Sequence, residues 1–437
     1  MPLKKQFQKL PFPTPFGLAL LLSVCSVFFA VVETRPADRG VGDYTFQVLS
    51  YWKDGFWGLL AFSLQMVLIL VFGHVLAIST PISKLLDKVA TLARSNTHAV
   101  MLTGGVTMLA GYFNWGFGLI LGAVLAKKMG EAASKSGLAI NYPLVASSGY
   151  LGMMVWHGGF SGSAPLKVAE PGHFLEEEIG VVPISETLLS TFNITLNAML
   201  VLVMLGLLYW LANHRKFNPK YPVDNGEYQL PKGKDKLGWV VGGVMCLLAA
   251  SELVDVPARG WGFISLNYIN FLLFGMGLIF HKSLASYVGA TAEAMKGATG
   301  IVLQFPFYAG ILGVLKSSGL LVLVAHYFVR ISSPETFPFL AFFSSGLINL
   351  FVPSGGGQWA VQGPVIVAAA KEMELSIPAM VMVMAYGDEI TNMLQPFWAL
   401  PLLAITGISP REMLKFTAFF FLVGTVVFIV GIYLFLG

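Results

Sequence analysis

The chain has 437 residues, of which 56% are hydrophobic, 13% aromatic and only 11% charged, and its mean hydropathy is +0.72. Soluble domains carry about a quarter charged residues, so this composition excludes an ordinary soluble protein. The formal charge of +4 is spread along loops and not gathered on one basic face, which gives nucleic-acid binding no support. Cys25 and Cys246 both fall in apolar runs, where a free thiol behaves as a small buried hydrophobe; no disulfide, metal site or redox role is read from them.

An apolar stretch of about 20 residues spans a bilayer core, and such stretches recur along the chain. In chain order the expected crossings are residues 16–32, 56–78, 142–156, 188–212, 237–254, 264–280, 301–315, 378–392 with a continuation to 405, and 416–436. The first follows Lys4, Lys5 and Lys9 as a signal peptide does, but no small-residue cleavage site stands before Glu33, so it reads as a retained helix. Residues 33–54 read as an outside loop. The fold class is therefore an all-α polytopic membrane protein with about nine crossings.

Two further apolar segments do not read as crossings. Residues 99–126 hold Asn114-Trp115-Gly116-Phe117-Gly118 at their centre, and both flanks are basic: Lys84, Lys88 and Arg94 before, Lys127, Lys128 and Lys135 after. Positive charge marks the cytoplasm, so both ends lie inside and the segment enters and returns as a re-entrant hairpin. Residues 337–370 are broken by Val352-Pro353-Ser354-Gly355-Gly356-Gly357. Proline removes a donor and consecutive glycines abandon helical geometry; such backbone survives at membrane depth only where protein buries it or it lines a wet cavity. Residues 142–166 and 378–405 are broken in the same way, by His157-Gly158-Gly159-Phe160-Ser161-Gly162-Ser163 and by Pro396 and Pro401. The basic loops put the N-terminus in the cytoplasm and the C-terminus in the periplasm, with the second hairpin entering from outside.

An internal repeat runs through these features. Leu64-Gln65 recurs as Leu303-Gln304, Asn114 as Asn349, Tyr150 as Tyr386 and Pro165-Leu166 as Pro401-Leu402, at offsets of 235 to 239 residues, and the amphipathic stretches 79–96 and 317–333 match as well. Residues 1–236 and 264–437 form the two repeats, and the linking helix and loop at 237–263 makes them inverted. Inverted repeats with discontinuous helices place substrate sites near the midplane, where half-helix N-termini face anions. The breaks supply backbone N–H groups, hydroxyls and carboxamides beside aromatic and aliphatic neighbours. That lining suits a carboxylate with a short apolar tail better than a dicarboxylate. The candidate substrate residues are Asn114, Ser161, Gly162, Ser163, Asn349, Ser354, Gly355, Gly356, Gly357 and Gln395.

Ionisable groups inside a membrane are costly and default to functional hypotheses. Asp388, Glu389 and Asn392 on the second broken helix, with His157 on the first, are the candidates for a coupling ion, sodium or a proton; the plain alternative for the acids is an aqueous helix end and a Lys or Arg partner. Trp52, Trp57 and Trp261 read as interfacial anchors. A channel for small organic anions is the rival class. An enzyme is not expected: Ser354 lacks a Gly-x-Ser-x-Gly setting and no histidine stands near it in sequence.

Trp52-Lys53-Asp54-Gly55-Phe56-Trp57, Asn114-Trp115-Gly116-Phe117-Gly118-Leu119, Gly159-Phe160-Ser161-Gly162-Ser163, Gln304-Phe305-Pro306-Phe307-Tyr308-Ala309-Gly310, Val352-Pro353-Ser354-Gly355-Gly356-Gly357 and Gln395-Pro396-Phe397-Trp398-Ala399-Leu400-Pro401 carry a resemblance over nearly the whole chain. The sequence resembles the bacterial short-chain fatty acid transporter family, within the ion transporter superfamily. The resemblance implies uptake of butyrate, acetoacetate and related acids across the inner membrane by a homodimer, each subunit with a static scaffold and a transport part moving like an elevator. Coupling to sodium is common in the superfamily. His157 departs from the glycine expected before the Gly-Gly-Phe-Ser-Gly-Ser run, which raises the question whether this site has an added titratable group.

Overall fold

The computed structural model describes residues 15–437 except 59, 170, 174, 215, 216, 218, 220–232, 234, 257–262, 264, 265, 321, 324–326, 328, 329, 351–354, 396 and 397. The elements among the described residues are all helices. Helices α1 (Pro15–Thr34), α2 (Val41–Gly55), α3 (Leu60–Ala77) and α4 (Thr80–Thr91) open the chain. Then come α5 (Asn96–Phe113) and α6 (Trp115–Ser136), followed by α7 (Tyr142–Ser148), a helical turn at Leu151–Met154, and α8 (Ser163–Val168). After the short α9 (Glu176–Ile179) and the long α10 (Thr191–His214) lie α11 (Leu237–Ser251), α12 (Leu266–His281), α13 (Leu284–Met295) and α14 (Thr299–Ser318). The chain closes with α15 (Phe337–Asn349), α16 (Gly355–Glu372), α17 (Ile377–Thr391), a turn at Asn392–Leu394, α18 (Leu400–Thr406) and α19 (Pro410–Leu436).

The order hairpin, interrupted helix, long helix thus occurs twice. In the first hairpin Ser95 caps α5 by accepting from His98 N–H, and Asn114, with extended backbone, both ends α5 and begins α6. Its arms pack closely: a Cβ on Gly118 would lie 2.5 Å from the backbone N of Gly111, and one on Gly122 2.6 Å from the side-chain Oγ1 of Thr107. Pairing residue 118 with 111 and 122 with 107 makes the arms antiparallel, and only glycine permits the approach. In the second hairpin buried amides join the arms: Gln358 Nε2 donates to Ser345 O at 2.9 Å, and Gln362 Nε2 donates to Ser344 Oγ at 3.1 Å. Residues 351–354, including Ser354, lie outside the described residues.

By length and composition, four described helices can cross a membrane: Thr191–His214, Leu237–Val254, Leu284–Ser318 and Pro410–Leu436. Shorter apolar helices at Ala19–Thr34, Asn267–His281 and Phe337–Asn349 add to them, and α3 bends by 72° into α4. The interrupted helices escape a length test because each piece is short.

Three expectations change. Residues 33–54 are not simply a loop, because they contain α2, which packs on α14; Gly55 and Gly313 meet so closely that a Cβ on Gly55 would lie 2.7 Å from Gly313 Cα. The crossing expected at 301–315 is part of a longer, 35-residue helical span, Leu284–Ser318, in which a 3-10 turn at Lys296–Ala298 joins α13 to α14. Trp52 is a packing residue, not a free interfacial anchor: its ring lies 4.9 Å from that of Phe56 and 5.8 Å from that of Phe307. Trp57 is exposed, and Trp261, like much of the amphipathic stretch 317–333, falls outside the described residues.

Candidate functional site

The two interrupted helices meet at their breaks. In the first, the backbone leaves the Leu151–Met154 turn, runs through Trp156, His157, Gly158 and Gly159, and restarts a helix at Ser163. Gly162 allows this tight return, because a Cβ there would lie 2.3 Å from the His157 carbonyl oxygen. Two bonds fix the first break to the first hairpin: Phe160 N–H donates to Tyr112 O at 2.9 Å, and Trp115 N–H donates to Ser161 Oγ at 3.0 Å. Ser161 therefore caps a free N–H at the start of α6, a use that sequence alone did not separate from substrate binding.

The second break supplies the acids. Asp388 and Glu389 are 1% and 0% exposed and face the first break. Asp388 Oδ1 lies 3.1 Å from His157 Nε2, and His157 N–H donates to Glu389 Oε2 at 2.9 Å. Neither acid sits at an aqueous helix end, and the ion partner of Asp388 is His157, not a Lys or Arg. Both carboxyl groups are thus removed from water, and among the described residues the hydrogen bonds to their oxygens come from His157, through its ring and its backbone N–H.

The tip of the second hairpin is joined to the same place. Asn349 Nδ2 donates to Asp388 O at 2.7 Å, Thr391 Oγ1 at 2.9 Å and Asn392 Oδ1 at 3.1 Å, while Gln395 Nε2 donates to Asn349 O at 3.1 Å. Across the gap, Gly355 at the start of α16 packs on the imidazole; a Cβ there would lie 2.4 Å from His157 Cε1 and 3.2 Å from Ser163 Cβ. Gly356 and Gly357 lie in the first turn of α16. Asn114, at the equivalent tip, uses its Oδ1 to accept from Phe117 N–H at 3.0 Å. The structure so brings His157, Ser163, Asn349, Gly355, Asp388, Glu389, Asn392 and Gln395 together, and holds Asn114 and Ser161 at the adjoining tip.

Several polar atoms here are buried without a hydrogen-bond partner among the described residues: Asn114 Nδ2, His157 Nδ1, Asn349 Oδ1, Asp388 Oδ2, Glu389 Oε1 and Asn392 Nδ2. Buried polar groups are normally satisfied, so such a concentration marks a place where a ligand would complete the bonding. Sequence reasoning missed the outer ring of support. Tyr150 donates its hydroxyl to Asn392 O at 3.1 Å; Tyr386 donates to Asn193 Oδ1 at 2.7 Å, and Asn193 Nδ2 donates to Gly158 O at 2.8 Å. The repeated tyrosines were visible as repeat mates, and the signal for Asn193 was an amide in an otherwise apolar helix.

Comparison with known proteins agrees with this architecture. The model of the family described as "Short chain fatty acid transporter" matches residues 5–221 and 241–435. A protein of Escherichia coli named as a short-chain fatty acid transporter is 36% identical over 97% of this chain and 96% of its own length. One of the same name from Haemophilus influenzae is 33% identical over 96% of both chains. Two solved structures share the fold. The Neisseria gonorrhoeae protein MtrF, presented as illuminating a class of antimetabolite efflux pumps, has a TM-score of 0.52 at 15% identity, covering 99% of this chain and 98% of that one. The Alcanivorax borkumensis YdaH transporter, described as having an unusual topology, has a TM-score of 0.50 at 16% identity, covering 97% of this chain and 98% of that one. At such identity they speak for the fold alone, whereas the family match spans both halves: the chain belongs to the short-chain fatty acid transporter family, is a multi-pass membrane protein and is not an enzyme.

Proposed function

We propose that this protein is a secondary active transporter that takes up a small monocarboxylate, such as butyrate or acetoacetate, across the bacterial inner membrane, driven by a sodium or proton gradient. One observation carries this reading. A hairpin tip and two interrupted helices from different halves of the chain converge on a buried His157–Asp388–Glu389 cluster. Half-helix ends and glycine backbone suit a carboxylate, and the adjacent acids suit the driving cation. Ser163, Ser354, Gly355, Gly356, Gly357, Gln395 and the amides of Asn114 and Asn349 hold the anion; Asp388, Glu389, Asn392 and His157 serve the cation.

In this reading about nine crossings and two re-entrant hairpins form inverted repeats, with the N-terminus cytoplasmic and the C-terminus periplasmic. The protein works as a homodimer, and the part carrying both hairpins moves as an elevator against a static scaffold. Purified protein in proteoliposomes should accumulate labelled butyrate and acetoacetate saturably when one of the two cation gradients, imposed separately, points inward. Non-saturable flux indifferent to both gradients would instead assign the protein to the channels.

A further inference from the structure

We propose that α4 is a docking surface for anionic phospholipid, with Lys84 and Lys88 holding the headgroup phosphate and Leu85 and Leu92 lying against the acyl chains. The chain enters α4 sharply. Ser79 has extended backbone, Pro81 stands in the first turn where its missing N–H costs nothing, and α4 leaves α3 at 72°. With α3 crossing the bilayer at an ordinary tilt, a bend of that size lays α4 nearer to the membrane plane than to its normal.

Successive residues of a helix turn by about 100°, and this divides α4 into distinct faces. Leu86 and Ala90, 2% and 3% exposed, form the face turned to the protein, with Ile82 and Val89 at its edge, and α4 packs on α6. Pro81, Leu85 and Leu92 lie on a second face that the protein leaves uncovered, Leu85 being 55% and Leu92 60% exposed. Beside it Lys84 and Lys88, one turn apart, form an exposed basic strip, and neither has a hydrogen bond or an ion pair among the described residues. The acid of α4, Asp87, is occupied elsewhere, since its carboxylate lies 2.6 Å from Lys128 Nζ of α6. Two ammonium groups without a counter-ion therefore border uncovered leucines on a helix set along the membrane. An anionic phospholipid matches both features, its phosphate meeting the lysines and its chains starting at the depth of the leucines. A zwitterionic lipid brings its own cation to the lysines, and free phosphate offers nothing to the leucines. Because α4 leads into α5 and packs on α6, lipid bound there grips the base of the first hairpin.

The test is thermal unfolding of the purified full chain in a neutral detergent, titrated with phosphatidylglycerol, phosphatidylcholine or inorganic phosphate. Phosphatidylglycerol should raise the unfolding temperature saturably, and neither of the others should do so at the same concentration. Each lysine near a membrane surface is worth about a fivefold change in affinity, so Lys84→Gln combined with Lys88→Gln should weaken half-saturation by phosphatidylglycerol about tenfold or more. Lys84→Arg combined with Lys88→Arg keeps both charges and should bind as the parent does. Both positions are exposed, so neither double variant disturbs the packed face. A glutamine variant with the parent's half-saturation, an arginine variant as weak as the glutamine one, equal stabilisation by phosphatidylcholine, or stabilisation by phosphate alone overturns the proposal. The assay reads lipid binding and not uptake, so none of these results bears on the transport reading above.

Discussion

At the tip of the first hairpin Asn114 turns back on its own chain, its Oδ1 accepting from Phe117 N–H to start α6. At the tip of the second, Asn349 reaches away from its hairpin and gives its amide hydrogens to Asp388 O, Thr391 Oγ1 and Asn392 Oδ1. Equivalent residues of a repeat have been put to different uses. The first tip is a self-contained cap, fastened to the neighbouring break through the N–H of Trp115 and the carbonyl of Tyr112. The second is latched to the helix that bears the acids, through the bonds of Asn349 to Asp388, Thr391 and Asn392. The two breaks differ in kind as well: the first brings an imidazole and hydroxyls, the second two carboxyl groups. In the proposed function the first break serves the anion and the second the cation.

Neutralising the acids is the severest way to break this division. Glu389→Gln and Asp388→Asn nearly preserve shape, so each should elute from a sizing column as the parent does. At least one should abolish gradient-driven butyrate uptake. Full coupled uptake in both variants would return the acids to a structural role.

The difference between the tips can be read as stability. Asn349→Ala removes three buried hydrogen bonds, and although Asp388 O keeps Thr391 Oγ1 as a donor, Asn392 Oδ1 loses its own, so the change should cost about 2–3 kcal/mol. Asn114→Ala removes a single helix cap and should cost about 1 kcal/mol. Thermal unfolding of the two variants in the same detergent should show the larger loss at Asn349; equal losses, or the reverse order, would mean that the second tip is not latched as described.

Much of this frame was legible because breaks in membrane helices announce themselves. The Gly-Gly-Phe-Ser-Gly-Ser run interrupts a helix as expected, but the three glycines after Ser354 do not abandon helical geometry: they form the first turn of α16, and Pro401 likewise stands in the first turn of α18, while Pro396 lies outside the described residues. The antiparallel arms 96–113 and 115–136 likewise follow from Asn114 and its glycine neighbours. Helix α2 was hidden because Asp43, Tyr44, Gln47 and Lys53 interrupt any apolar run, and its stability comes from packing on α14, which sequence does not display. Helix α13 was hidden because Lys282 and Ser283 look like a loop and Ser283 is in fact an N-cap. Partnership was the least legible. His157 and Asp388 are separated by 231 residues, and no periodicity in either segment indicates that they touch. The choice for the acids between an aqueous helix end and a buried site is settled only by tertiary packing, which leaves Asp388 and Glu389 almost wholly buried.

The central claim, that the carboxylate lies between the second hairpin tip and the first break, is tested most directly by calorimetric binding of butyrate to purified protein. Ser163 stands beside Gly355 at this junction, and Ser354 directly precedes Gly355 in sequence. A hydroxyl donating to a charged acceptor is worth about 1.5–3 kcal/mol, so Ser163→Ala and Ser354→Ala should each weaken binding by about tenfold or more. If both variants bind butyrate as tightly as the parent, the carboxylate is held elsewhere.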